Sequence, residues 1–360
     1  MKVLIVTREF PPYLLGGGGI AVKQIAELLP KMGVKLTVVG PLKNTKQRYE
    51  KINDNLGIYR VPTYGKTFLT KVPTLAYFAG RLAQKLDYDL VHLFTPCFTR
   101  FQCPTVVHFE STRYGEYEGL TKDKAYLAGW LNAIYIPLEK DMAEKADIVL
   151  ALTAEMKKEI LKFCNIDKQK IQILPNGVDL TNFKPSKRKK RNNIKKILYV
   201  GRLDLRKRVA DLIQAFKQIN GKIEAELIIA GEGFTRKNLE TLARGYPVRF
   251  LGKVPHKNIP RLYQESDLVV VPSSYEGLPL VILEAMASGI PVLTSDSCPN
   301  FGNSQFETRS VDDLAEKMTR FLKNEELTKT QTQQGLKTVQ EFSWENVAKQ
   351  LVKTYQSLIA

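Results

Sequence analysis

Leu268-Val-Val-Val271 runs directly into Pro272-Ser-Ser-Tyr-Glu-Gly-Leu-Pro279 and then into Leu280-Val-Ile-Leu-Glu-Ala-Met-Ala-Ser-Gly-Ile-Pro-Val292. Four aliphatic residues closed by Pro and Ser read as a strand buried on both faces. The apolar run from Leu280 reads as a helix, and Pro291 to Thr294 as the next strand, so the stretch is one strand–helix–strand unit of a parallel sheet. Moving outward, the same rhythm predicts strands at Ile197 to Val200, Glu226 to Ala230 and Val248 to Leu251. It also predicts strands at Lys2 to Val6, Lys35 to Val39, Leu90 to Leu93, Thr105 to His108, Ile148 to Ala151 and Ile171 to Leu174. Two Rossmann-like α/β sheets are therefore expected. Between them Pro185-Ser-Lys-Arg-Lys-Lys-Arg-Asn-Asn193 has no apolar residue and reads as a solvated connection, which puts the domains at 1–185 and 186–342. From Ser343, a candidate N-cap, Val347, Leu351, Tyr355 and Leu358 recur at helical spacing, so 343–360 is an amphipathic helix that must dock.

The chain has 360 residues, a length that suits two domains. No apolar run is long enough to cross a bilayer, and the opening Val3 to Val6 run is too short for a signal peptide, so a cytoplasmic protein is expected. Cys97, Cys103, Cys164 and Cys298 form no C-x-x-C pair and only three histidines are present, which argues against a disulfide scaffold or structural zinc. The formal charge is +17, with 26 basic and 18 acidic residues in 1–185 and 28 and 19 in 186–360. So even a spread, with no aromatic platform or recognition-helix signature, argues against nucleic acid and for phosphorylated metabolites or an anionic membrane surface.

Gly16-Gly-Gly-Gly-Ile-Ala21 contains G-x-G-x-x-A, but Thr7 to Leu15 separates it from the first strand and Gly40, not an acid, follows Val39. A nicotinamide site is thereby excluded. What remains is a glycine loop leading into a helix, suited to a phosphate or sugar contact, with a flexible turn as the alternative. Gly201 and Arg202 follow a predicted strand, and Lys207 lies five residues beyond. A guanidinium and an ammonium there suit a diphosphate leaving group, although Arg206 and Arg208 crowd the same stretch and a solvated basic loop is the alternative. Glu276 lies in a loop, and Glu284 lies eight residues on, in a helix apolar nearly all round. Two carboxylates at this spacing can each grip a vicinal diol, and a buried idle one would be costly.

Taken together these features resemble glycosyltransferase family 4, the retaining nucleotide-sugar transferases of the GT-B fold. The resemblance rests on Pro11 to Gly19, Asp89-Leu-Val-His92, Val106-Val-His108, Leu174-Pro-Asn-Gly-Val-Asp179, Val200-Gly-Arg-Leu203 with Lys207, Ala230-Gly-Glu-Gly233, the Glu276/Glu284 pair and Phe342-Ser-Trp344. It implies two Rossmann-like domains facing a central cleft, with the C-terminal helix crossing back to the first. The donor is implied to bind the second domain, with Arg202 and Lys207 on its diphosphate, Glu284 on its ribose and Glu276 on the transferred sugar. Val254 is implied to lie near the base, with backbone groups of Leu278, Pro279 and Leu280 close by. Gly18 and Gly19 are implied to approach the phosphates, and His108 to sit at the reacting centre. His92 and His256 read as structural.

The same resemblance implies a UDP- or GDP-linked donor, an unidentified hydroxyl acceptor, no cofactor and no metal. Ser297 to Ser310 departs from the family pattern, lacking its Gly-Gly-x-Pro-Glu segment. Within Thr112 to Asp141, Leu127, Leu131, Ile134 and Leu138 form a stripe that reads as a helix packed on the first sheet, with acceptor or membrane contact as the alternative. A nonhydrolysing nucleotide-sugar epimerase and a noncatalytic sugar-nucleotide-binding protein are the other readings of the whole chain.

Overall fold

The computed structural model describes residues 1–14, 16–65, 68–186 and 194–359. The chain divides into two compact units, Met1–Tyr117 with Trp130–Gly177 and Trp344–Ala360, and Glu118–Gly129 with Val178–Ser343.

In the first unit the strands are β1 (Lys2–Val6), β2 (Lys35–Pro41), β3 (Tyr49–Asn53), β4 (Leu56–Val61), β5 (Leu90–Leu93), β6 (Thr105–Phe109), β7 (Ile148–Ala151) and β8 (Ile171–Ile173), in the order β3-β4-β2-β1-β5-β6-β7-β8. All pairings are parallel except β3 with β4. Strands β5, β6 and β7 are buried at every residue, as a sheet covered by helices on both faces requires. The helix Trp344–Ile359 docks here, burying Trp344, Val347, Ala348, Leu351 and Tyr355.

In the second unit, β9 (Lys195–Val200), β10 (Ala225–Ala230), β11 (Val248–Gly252), β12 (Leu268–Val271), β13 (Val292–Ser295) and β14 (Ser304–Phe306) form an all-parallel sheet ordered β11-β10-β9-β12-β13-β14. Counted from its own first strand this is the doubly wound order 3-2-1-4-5-6.

Two expectations need correcting. The change of unit falls at Gly177/Val178 rather than at 185/186, because Val178 already pairs with Ser343 and donates to the Phe342 carbonyl. Of the expected connection, residues 187–193 lie outside the described residues. Nor does most of the stripe at Leu127, Leu131, Ile134 and Leu138 pack on the first sheet: the first three are exposed, Leu138 alone is half-buried, and Leu127 groups with the second unit. The atypical 297–310 segment closes on itself, with the Gln305 amide donating to the Ser295 and Cys298 carbonyls and Thr308 Oγ1 to Asp296.

Candidate functional site

At the second unit's switch point, between β9 and β12, the chain leaves neighbouring strands in opposite directions and their carboxyl-end loops part. The β9 loop curls tightly over Tyr199, whose Oη donates to the Arg202 carbonyl at 2.7 Å. A Cβ on Gly201 would stand 2.7 Å from that oxygen, and one on Gly231 would stand 1.8 Å from the Gly201 carbonyl oxygen, so only glycine fits at either place. The turn Leu205–Lys207 then faces the β12 loop. Lys207 Nζ donates to Glu276 Oε1. Arg206 Nη1 donates to the Tyr275 carbonyl at 2.8 Å and lies 3.7 Å from Glu276 Oε2. Ser274 returns the contact through its N–H, which donates to the Arg206 carbonyl at 2.9 Å. Burial by itself raises the Glu276 carboxyl, but the Lys207 and Arg206 charges outweigh it and hold the group below the usual carboxylate range. Arg202 remains 55% exposed, its guanidinium 3.3 Å from Asp204.

Glu284 projects from the helix Leu280–Ala287, which is otherwise apolar. Tyr263 Oη donates to Glu284 Oε2 at 2.9 Å, and His256 Nε2 lies 2.9 Å from Oε1. Each oxygen keeps a further lone pair for a diol. Leu278 and Leu280 are buried and Pro279 and Val254 half-buried, and the helix N-terminus has no side-chain cap. The structure thus joins Lys207 to Glu276 directly, while Glu284 finds its partners on other elements and Arg202 pairs with Asp204. The sequence offered Arg206 only as crowding a basic loop and His256 only as structural; both touch a predicted ligand-binding carboxylate.

A third charged cluster braces this loop. Arg208 adopts φ 49° and Arg309 φ 76°, left-handed values that ordinary side chains avoid. Both are tied to one carboxylate, Asp123, whose Oδ1 accepts from Arg208 Nη1 at 2.6 Å and Arg309 Nε at 2.8 Å.

In the first unit a pocket lies at the carboxyl ends of β1, β5 and β6, again at a switch point. Its wall includes Glu9, Gly18, Thr95, His108, Glu110 and Glu139. His108 is 2% exposed, its ring 5.4 Å from His92 and 4.6 Å from Phe94. Burial pushes its pKa down to about 3, so it is a neutral imidazole. Neither of its ring nitrogens is hydrogen-bonded, unlike His92, whose Nδ1 lies 2.6 Å from Tyr355 Oη. A strand-end histidine capped by its own chain is therefore not what the structure shows.

Gly19 is packed against Glu9, whose Oε2 accepts from Gly16 N at 3.0 Å and would lie 2.7 Å from a Cβ on Gly19. The glycine loop thus already wraps a carboxylate of this chain where a phosphate was expected. Glu110 Oε2 accepts from Asn176 Nδ2 at 2.9 Å. Both Glu110 and Thr95 escaped the sequence reading, although each lies within two residues of the end of an expected strand, where a parallel sheet puts its ligand groups.

Two largely parallel α/β sheets, each with its ligand-type residues at the strand ends, define the class of fold as GT-B. Sucrose-phosphate synthase from Thermosynechococcus elongatus superposes with TM-score 0.83 at 20% identity, covering 99% of this chain and 98% of that one. Anabaena HepE, solved with UDP and glucose, gives 0.75 at 18% identity, covering 99% and 100%. An uncharacterized glycosyltransferase of Methanocaldococcus jannaschii is 30% identical over 99% of this chain and 98% of its own length. The family descriptions "Glycosyltransferase Family 4" and "Glycosyl transferases group 1" match residues 15–182 and 181–338. The chain belongs to glycosyltransferase family 4.

Proposed function

We propose that the chain is a retaining, metal-independent hexosyltransferase that moves a sugar from a UDP- or GDP-linked donor to an acceptor hydroxyl in glycolipid, polysaccharide or glycoconjugate synthesis. The observation that carries this reading is the contact of Lys207 and Arg206 with Glu276 at the switch point of the second sheet. HepE, a protein of the same fold, was solved with UDP and glucose, which supports the donor class.

In this reading an ammonium with three N–H groups spends one on Glu276 and offers the others to the donor diphosphate. Arg202, the more exposed cation, takes the second phosphate. As the anomeric carbon becomes cationic and the diphosphate gains charge, both cations stabilise the departing group. Glu276, kept ionised by its neighbours, accepts from sugar hydroxyls, and Glu284 from the ribose. Val254 lies beside the base, and backbone groups of Leu278, Pro279 and Leu280 lie beside the sugar and phosphates. Gly18 and Gly19 approach the phosphates once Glu9 turns away from Gly16, and His108 meets the sugar as a neutral donor or acceptor. The leaving phosphate takes the acceptor proton from the same face, which keeps the anomeric configuration.

The test is incubation with UDP-, GDP- and ADP-sugars and a panel of acceptors, with and without EDTA, reading nucleotide release, product mass and anomeric configuration. Turnover with retention, indifferent to EDTA and lowered about 100-fold or more by Lys207→Ala or Glu276→Ala, is expected. An isomerised donor without acceptor, or nucleotide binding without turnover, would overturn it.

A further inference from the structure

Arg208 is the single residue between the turn Leu205–Lys207 and the helix Val209–Ile219, and its φ of 49° carries the chain from one into the other. That conformation is disfavoured about tenfold for a residue with a Cβ. Arg208 Nε donates to Asp211 Oδ2 at 2.7 Å, but a pair three residues apart forms on an ordinary helical backbone as well. The partner that can fix the reversal is Asp123, distant in the chain and 4% exposed. Its Oδ1 serves both Arg208 and Arg309, and its Oδ2 is buried with no partner. A carboxylate buried with one oxygen unpaired is costly, and an apolar side chain would fill the place without that cost. What the carboxylate adds is its hold on the two arginines.

The same stretch also reaches the loop of Glu276. Arg309 Nη2 donates to the Gly119 carbonyl at 3.4 Å, and a Cβ on Gly119 would stand 3.1 Å from Tyr275 Cβ. Residues 119–123, all within the second unit, thus touch Arg208, the neighbour of Lys207, and Tyr275, the neighbour of Glu276.

We propose that Asp123 is a positioning residue of the donor site: by keeping Arg208 in its left-handed conformation it sets Lys207 against Glu276, and so governs how tightly the donor nucleotide is held. This rests on the reading that Lys207 and Glu276 bind the donor. Asp123 acts through the backbone at Arg208 and not on the substrate. Arg208→Gly takes the same φ unaided and therefore makes Asp123 dispensable.

Calorimetric titration of the full chain with UDP and with GDP tests this, for the parent, Asp123→Ala, Arg208→Gly and the two changes together. Asp123→Ala should bind nucleotide about tenfold more weakly, the scale of one left-handed residue left unsupported. Arg208→Gly should bind as the parent does. The double variant should recover the affinity, since Arg309 is 30% exposed and can turn to water. Hydrogen exchange without nucleotide gives a second readout in peptides 203–209 and 272–277, where Arg208 N–H donates to Leu205 and Ser274 N–H to Arg206. Exchange there should be faster in Asp123→Ala and return to the parent rate in the double variant. A role in stability alone would lower the melting temperature without this rescue. Asp123→Asn, of the same size, should show the same two losses and serves if Asp123→Ala folds poorly. Parent-like affinity or parent-like exchange without the Asp123 carboxylate, or a double variant as impaired as the single one, would overturn the proposal. A parent that binds neither nucleotide would instead count against the donor reading, and the exchange rates would then decide by themselves whether Asp123 sets the loop.

Discussion

At Glu110 a single side chain carries a measurable pH signature. Burial raises its carboxyl from the ordinary 4.5 to about 7 in the folded chain. A raised acid favours the folded state fully below its unfolded pKa, and that advantage is lost as pH rises through the folded value. Glu110→Gln should therefore melt like the parent near pH 4 and higher than it above pH 8, by at most about 3 kcal/mol from the size of the shift. Thermal melts across that window read the difference; a gap that is constant with pH would contradict it. At this scale the sequence exposed residue types but not partners. Arg202, Lys207, Glu276 and Glu284 could be picked out because each follows a strand or interrupts an apolar helix. Arg206 on Glu276, and Tyr263 and His256 on Glu284, could not, because those contacts join loops far apart in the chain. The glycine loop was legible as an anion cradle, yet its occupant in this structure is Glu9, from only seven residues before Gly16.

Among elements, the aliphatic strands were legible because a sheet covered on both faces needs unbroken apolar runs: Lys2–Val6, Leu90–Leu93, Ile148–Ala151 and Leu268–Val271 begin and end where the sequence places them. The β3–β4 hairpin was not. Tyr49–Asn53 is an exposed edge strand with no apolar face, and Leu56–Val61 hides a buried arginine, Arg60, held through Nη2 by Glu50 at 2.9 Å and the Pro11 carbonyl at 3.1 Å. Ser304–Phe306 is too short to leave a pattern. The C-terminal helix was expected to dock, and its amphipathic stripe is the face it buries. Deleting Trp344–Ile359 removes the burial of Trp344, Val347, Ala348, Leu351 and Tyr355, together on the order of 8 kcal/mol. That is comparable with the whole stability of a domain. The shortened chain should lose the cooperative unfolding of its first unit and become sensitive to protease throughout residues 1–117 and 130–177; an unchanged melt would show that the helix is dispensable.

For the molecule as a whole, no helix among the described residues is long and apolar enough to cross a membrane. Yet Tyr126, Leu127, Trp130, Leu131 and Ile134 stand exposed on or beside the helix Tyr126–Ala133, in a chain of formal charge +17. Apolar and aromatic side chains with a basic surplus favour an anionic lipid surface, at about 1 kcal/mol for each basic group close to it. Co-sedimentation with phosphatidylglycerol vesicles should exceed that with phosphatidylcholine, weaken as salt is raised, and fall with Trp130→Ala. Equal binding to both lipids would remove the membrane from the account.

The clasp of Arg208 and Arg309 on Asp123 bears on anyone who would dissect or shuffle this enzyme. A fragment cut at the obvious place, starting at Val178 and stopping at Ser343, would leave behind the short stretch around Asp123 and strand two inward-held cations. Chimaeras that exchange halves with a relative inherit the same trap unless residues 118–129 travel with the back half.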